Sequence, residues 1–219
     1  MKYDLIIVSQ SKDQALITMT QNAINTCLSD GADVNVILIE TYQPTHYDYV
    51  NEYINYTGEF CYNRALNMGI EKAKGDVFIL ANNDLLFQPG WSTIGYSMQL
   101  NNYLSASALS NDVHQKCFKR GDYSYEGYGI GLQLTGWCIF VARECIEKIG
   151  KLSETHQFWF SDNDYADQLR AQNIVHALIC NVTVMHLGSR TLAKATYKQR
   201  YQFTHAERKK LYKPTRTHI

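Results

Sequence analysis

Asn82-Asn83-Asp84 follows the apolar run Val77-Phe78-Ile79-Leu80 and precedes the apolar pair Leu85-Leu86. A carboxylate at the exit of a hydrophobic strand costs free energy unless it is paired or bound to a metal. Strand ends in α/β sheets are also where ligands bind. Asp84 is therefore a candidate for holding a metal and the phosphates that the metal neutralises. Three further polar constellations stand out. Glu40 closes the apolar run 34–39, and His186-Leu187-Gly188-Ser189-Arg190 closes the run 174–185. Ser161-Asp162-Asn163-Asp164 opens a helical pattern. If the sheet is parallel, strand ends on one edge converge, and residues far apart in the chain share a site.

The elements that must position these groups read as an α/β protein. Residues 5–8 form a continuous apolar run, as in a central parallel strand. Residues 14–28 carry Ala15, Leu16, Met19, Ala23, Ile24 and Cys27 at helical spacing. Residues 34–39 are a second strand, 63–74 a helix stopped by Gly75, and 77–80 a third strand. Strand, helix, strand, helix, strand is the pattern of a parallel α/β sheet. Further along, a helix is expected to about Asn101, a strand over 133–141, a helix over 143–149 and a strand over 174–185. Residues 102–131 are polar, glycine- and tyrosine-rich, and read as a loop region.

With 219 residues and 45% hydrophobic content, one domain with a tail is expected. Charge is balanced overall but not locally. Residues 194–219 carry eight basic side chains against one acid, Glu207, while the preceding 193 residues carry thirteen basic and twenty acidic ones. Tyr197, Tyr201, Phe203 and Tyr212 interleave with the basic residues. That composition suits first a solvated helix packed on the domain by its aromatics, and then an anionic partner, DNA or a membrane lipid surface. Six cysteines without CxxC pairs suit free thiols in a reducing compartment. The start MKYDLIIVSQSKD is not a signal peptide, and no apolar run approaches the ~18 residues of a membrane span. A cytoplasmic location is expected.

Four motifs in order resemble the family-2-like glycosyltransferases of GT-A fold. FCYNRALNMGIEKAKGDVFILANNDLLF resembles the segment leading into that family's DxD-like metal motif. LTGWCIFVAREC resembles its acceptor-side strand, FWFSDNDYADQLRAQN its acidic motif, and VTVMHLGSRT its late strand and metal-binding histidine. Two departures stand in this sequence. Asn82-Asn83-Asp84 keeps only the last carboxylate of the metal motif, and Ser161-Asp162 replaces the usual glutamate-aspartate pair.

The resemblance implies a GT-A catalytic domain over residues 1–193, followed by the basic tail 194–219. It implies transfer of a sugar from a nucleotide-sugar donor to a hydroxyl, with inversion if Asp162 acts as base in a direct displacement. Asp84 and His186 are the expected ligands of Mn2+ or Mg2+, since carboxylate and imidazole leave room for diphosphate and water. Asp162 is the expected general base, with Asp164 as helper or substitute. All four residues of 161–164 are also good helix caps. Ser9, Glu40, Asn63, Arg64, Asn82, Asn83 and Arg190 are the expected donor contacts, and Trp137 an acceptor contact. The implied acceptor is a glycan or lipid-linked saccharide, or a hydroxymethylated base in DNA.

Two other readings compete. A non-catalytic module derived from such a transferase accommodates the thinned metal motif. A sugar nucleotidyltransferase shares the sheet architecture, but the loop after the first strand, Ser9-Gln10-Ser11-Lys12-Asp13, lacks the glycines of a phosphate cradle.

Overall fold

The structure, a computed structural model, describes residues 1–110 and 113–188. The first half alternates strand and helix: β1 (Lys2–Ser9), α1 (Gln14–Leu28), β2 (Asp33–Glu40), β3 (Glu52–Asn55), α2 (Tyr62–Ile70) and β4 (Val77–Asn82). The second half adds β5 (Leu85–Phe87), α3 (Thr93–Leu100), β6 (Ser105–Leu109), α4 (Val113–Cys117), β7 (Ser124–Glu126), β8 (Cys138–Ala142), α5 (Arg143–Ile149), α6 (Ser161–Ala171) and β9 (His176–His186).

The strands form one sheet in the order β3-β2-β1-β4-β8-β6-β9-β5, with β7 paired to β9. β3, β2, β1 and β4 are parallel. β8 runs antiparallel to both β4 and β6, and β9 is parallel to β6. The direction of β4 is thereby restored in β6 and β9. The C-terminal ends of β1, β2, β4 and β9 consequently lie on one edge of the sheet. The entry to β8 lies there too, because Ala81 pairs with Cys138.

Both faces of the central strands are covered, which explains their unbroken apolar runs. Leu5 and Ile7 pack with Ala23, Ile24 and Cys27 of α1, while Ile6 and Val8 pack with Ala65 and Leu66 of α2. Asp13 caps α1 by accepting a hydrogen bond from the Leu16 amide at 3.0 Å. Each fully buried aliphatic side chain contributes about 1.5–3 kcal/mol, so this sandwich is a rigid frame for the edge that carries the polar groups.

Three local expectations are corrected. α2 ends at Ile70, short of the expected 74, because buried Asp4 accepts hydrogen bonds from the Lys74 and Gly75 amides and draws the chain off the helix. β8 starts at Cys138 rather than 133, because Thr135 turns the chain. Its carbonyl accepts from the Cys138 amide at 3.1 Å, and its hydroxyl donates to the Cys138 carbonyl. The stretch 102–131 contains β6, α4 and β7. Within β6, Ser105 and Ser107 are buried and satisfied by the ring of His176, at 2.8 and 3.2 Å. Among the described residues, no helix is long and apolar enough to cross a membrane, and all six cysteines are free.

Candidate functional site

Ser9, Glu40 and Asn82 stand side by side, in the register Ser9 to Glu40 and Val8 to Asn82. Glu40 is fully buried. Its Oε1 accepts from the amides of Ser11 and Tyr42 at 3.0 and 2.9 Å, and the Tyr47 hydroxyl donates to Oε2 at 3.3 Å. The Ser9 hydroxyl lies 2.9 Å from that of Tyr47 and 3.2 Å from that of Thr20. Asn83 then donates to the Thr20 hydroxyl at 3.0 Å. An unbroken chain of buried polar groups thus runs from Glu40 to Asn83. It joins the ends of β1, β2 and β4 and leaves Ser9, Glu40 and Asn83, all expected donor contacts, engaged inside the frame.

Asp84 and His186 converge. β5 pairs antiparallel with β9, Leu85 opposite His186, and the Leu187 amide donates to the Asp84 carbonyl at 2.8 Å. The His186 Nε2 lies 3.2 Å from the Asp84 Oδ2. That nitrogen and the Asp84 Oδ1 are both buried, and neither makes a hydrogen bond among the described residues. Leaving both atoms buried without a hydrogen bond carries a desolvation cost that a bound cation would remove. Carboxylate plus imidazole fits Mn2+ or Mg2+, and the donor set is therefore compatible with the implied metal. Among the described residues no group of three or more His, Cys, Asp or Glu side chains forms a metal cluster.

Trp137 lies flat on His186, with ring centroids 4.8 Å apart and planes 2° from parallel. Its carbonyl accepts from the Asn82 amide at 2.9 Å. Next to it, Gly136 faces Asp162, with Tyr62, Asn63, Ser161 and Tyr165 around the same crevice. Tyr62 donates to the Asn82 Oδ1 at 2.7 Å. Burial pushes its phenol far above the usual range, and Cys138, Asp84 and Asp162 add to that. Tyr62 thus joins Asn82 of the metal motif to the crevice that Asp162 lines.

The two acids of the helical motif differ. Burial raises the Asp162 pKa, opposed by the Asn163 amide and reinforced by the charge of Asp164. Its Oδ1 accepts from that amide at 3.0 Å. Asp164 points elsewhere: its Oδ2 lies 2.8 Å from the Nδ1 of buried His156 and accepts from the Ser153 hydroxyl at 3.2 Å. The left-handed backbone of Phe160, φ 69°, delivers the chain into the first turn of α6.

Asn63 and Arg64 turn to the segment before α6. Asn63 donates to the Ser153 carbonyl at 2.7 Å, and Arg64 Nε to Glu154 at 2.7 Å. Asn67 exchanges two hydrogen bonds with the Leu152 backbone, at 3.0 and 2.9 Å. One helix face thus anchors the loop that presents Asp162. Sequence reasoning did not single out Tyr47, Tyr62, Asn67, Gly136 or His156. The i,i+4 spacing of Asn63 and Asn67 was the available signal for the anchor. Arg190 and the tail 194–219 lie outside the described residues.

No family model matches the chain, and no curated protein matches it in sequence. Solved structures match it in fold. One is the crystal structure of GalNAc-T7 with UDP, GalNAc and Mn2+: TM-score 0.64, 11% identity, covering 85% of this chain and 44% of that one. Another is the crystal structure of S. aureus TarS 1–349: TM-score 0.62, 8% identity, covering 85% of this chain and 60% of that one. This chain therefore spans less than two thirds of either neighbour. Both are GT-A-type glycosyltransferases, and the fold of this chain is GT-A-like.

Proposed function

We propose that this chain is a glycosyltransferase that moves a sugar from a nucleotide-sugar donor to a hydroxyl acceptor, dependent on a divalent cation and with inversion. The observation that carries the reading is the pairing of Asp84 with His186 on the sheet edge where Gly136, at the entry of β8, meets Asp162 of α6. GalNAc-T7 in its crystal holds UDP, GalNAc and Mn2+, which makes a UDP-sugar with Mn2+ the first donor to test.

Asp84 and His186 would hold the cation. When bound, it offsets the charge that builds on the leaving diphosphate. Asp162 accepts the proton of the acceptor hydroxyl as its oxygen bonds to the anomeric carbon. The bond from that carbon to the diphosphate oxygen breaks, and the nucleoside diphosphate leaves with the electron pair. Asp164, fixed by His156 and Ser153, positions the helix turn. The buried chain from Glu40 to Asn83 holds the strand ends under the donor. Residues 1–193 act as the catalytic unit, and the composition of the basic tail 194–219 suits an anionic acceptor or surface. Glycans, lipid-linked saccharides and hydroxymethylated DNA are the acceptor classes to compare.

Calorimetric titration with UDP, with and without Mn2+, tests the reading. Binding that requires Mn2+ and is lost in Asp84→Asn supports it. A folded protein that binds no nucleotide under either condition favours the non-catalytic module.

A further inference from the structure

Trp137 was expected among the acceptor contacts, yet its indole face is covered by an imidazole. A histidine that ligates a metal usually has its ring plane fixed by a hydrogen bond from the other ring nitrogen to a carboxylate, carbonyl or water. Among the described residues no such hydrogen bond reaches the His186 ring. What touches its face is Trp137, at 4.8 Å and 2°. Trp137 is itself held. Its carbonyl accepts from the Asn82 amide, its neighbour Cys138 is locked by the Thr135 turn, and its ring packs 6.0 Å from the buried ring of His114. The His114 ring is in turn fixed, its Nδ1 accepting from the Ser110 amide at 3.0 Å. Indole is large and has only two side-chain torsions, so stacking on it confines an imidazole at little entropic cost.

We propose that Trp137 is a positioning residue that sets the ring plane of His186, so that Nε2 and the Asp84 carboxylate meet at one cation. The inference rests on the reading that Asp84 and His186 hold a divalent ion. It assigns the orienting task of a hydrogen bond to an aromatic face, and it ties α4 and the entry of β8 to the metal pair.

The test is a Mn2+ titration followed by electron paramagnetic resonance in the presence of UDP, on wild type, Trp137→Phe, Trp137→Leu and His186→Ala. Thermal unfolding of each variant is measured in parallel. Trp137→Leu is expected to weaken Mn2+ about tenfold, within the range for losing an orienting partner. Trp137→Phe, which keeps an aromatic face, is expected to stay within about threefold of wild type, a smaller loss than that range. Paramagnetic quenching of tryptophan emission is a second readout. Mn2+ is expected to quench wild type, and the quenching should fall away in Trp137→Phe although Trp91 and Trp159 remain. Equal Mn2+ affinity in wild type and folded Trp137→Leu would overturn the proposal and leave the metal reading standing. No Mn2+ binding by wild type would overturn both. Should Trp137→Leu fail to fold, Trp137→Met, which fills the space without an aromatic face, takes its place in the same titration, and wild-type Mn2+ affinity in folded Trp137→Met would overturn the proposal.

Discussion

Gly136 and Asp162 are in direct contact: a Cβ added to Gly136 would lie 2.9 Å from both the Cβ and the Oδ2 of Asp162. The Asp162 Cβ is fixed to its helix and cannot swing away as a long side chain would. The glycine thus sets how closely the candidate base approaches the entry of β8. Gly136→Ala is expected to displace the carboxylate and reduce transfer about 10²-fold, the scale of a misplaced catalytic group. Overpacking should cost only about 1–3 kcal/mol of stability. Steady-state rates beside thermal unfolding check both. Wild-type rates in a folded variant would show that the carboxylate has no fixed station there.

Asp162 gives a second expectation, on pH. Burial raises its folded pKa above the ordinary carboxylate value, with Asp164 adding to the effect. The candidate base would therefore be lost to protonation as pH falls through that raised value, and the acid limb of the rate profile should lie above that of an ordinary aspartate. The stability term has the opposite sense. Between the unfolded and folded pKa values the native state binds more protons, so the contribution is present at low pH and lost as pH rises. Asp162→Asn should abolish transfer yet raise the melting temperature at neutral pH. A fall in both would mean that the carboxylate is a structural cap.

Glu40 separates two roles. Its carboxylate holds the Ser11 and Tyr42 amides and the Tyr47 hydroxyl inside the frame. Glu40→Ala strands those buried groups, and each unsatisfied group costs about 1–3 kcal/mol. The expected result is a large drop in melting temperature, with Glu40→Gln less affected. Weakened donor binding at unchanged stability in Glu40→Gln would instead mark direct recognition of the nucleotide base.

His176 makes acid stability testable. Burial lowers its pKa from 6.5 to about 4, with the Gln133 carbonyl partly opposing. It is neutral in the fold and protonates more readily when unfolded, so stability is lost as pH falls below about 6.5 toward 4. A fall of that size amounts to about 3 kcal/mol at most. Urea unfolding of wild type and His176→Gln across this range should show a shallower pH dependence in the variant.

These positions also show what the sequence made legible. α1 and α5 have the expected bounds, because clear apolar spacing and local stops determine them. β6, Ser-Ala-Ser-Ala-Leu, was unreadable as a strand: its buried hydroxyls make sense only with His176, 69–71 residues away. The exit of α2 has no local signal, because the Asp4 carboxylate that takes it over is equally remote. The approach of Asp84 to His186 followed from a shared strand edge. The turning of Asn63 and Arg64 toward residues 153 and 154 did not, since side-chain direction depends on where that loop passes.

The most direct measurement is donor turnover. Wild type, Asp84→Asn and Asp162→Asn are incubated with UDP-, GDP-, CMP- and dTDP-sugars, with and without Mn2+, in the presence of glycan and hydroxymethylated DNA acceptors. Released nucleotide and the product's anomeric configuration are then read. The expected result is release from one donor that needs Mn2+, disappears in both variants and yields an inverted product. Full turnover in folded Asp84→Asn, or turnover indifferent to Mn2+, would contradict the assignment of the Asp84–His186 pair.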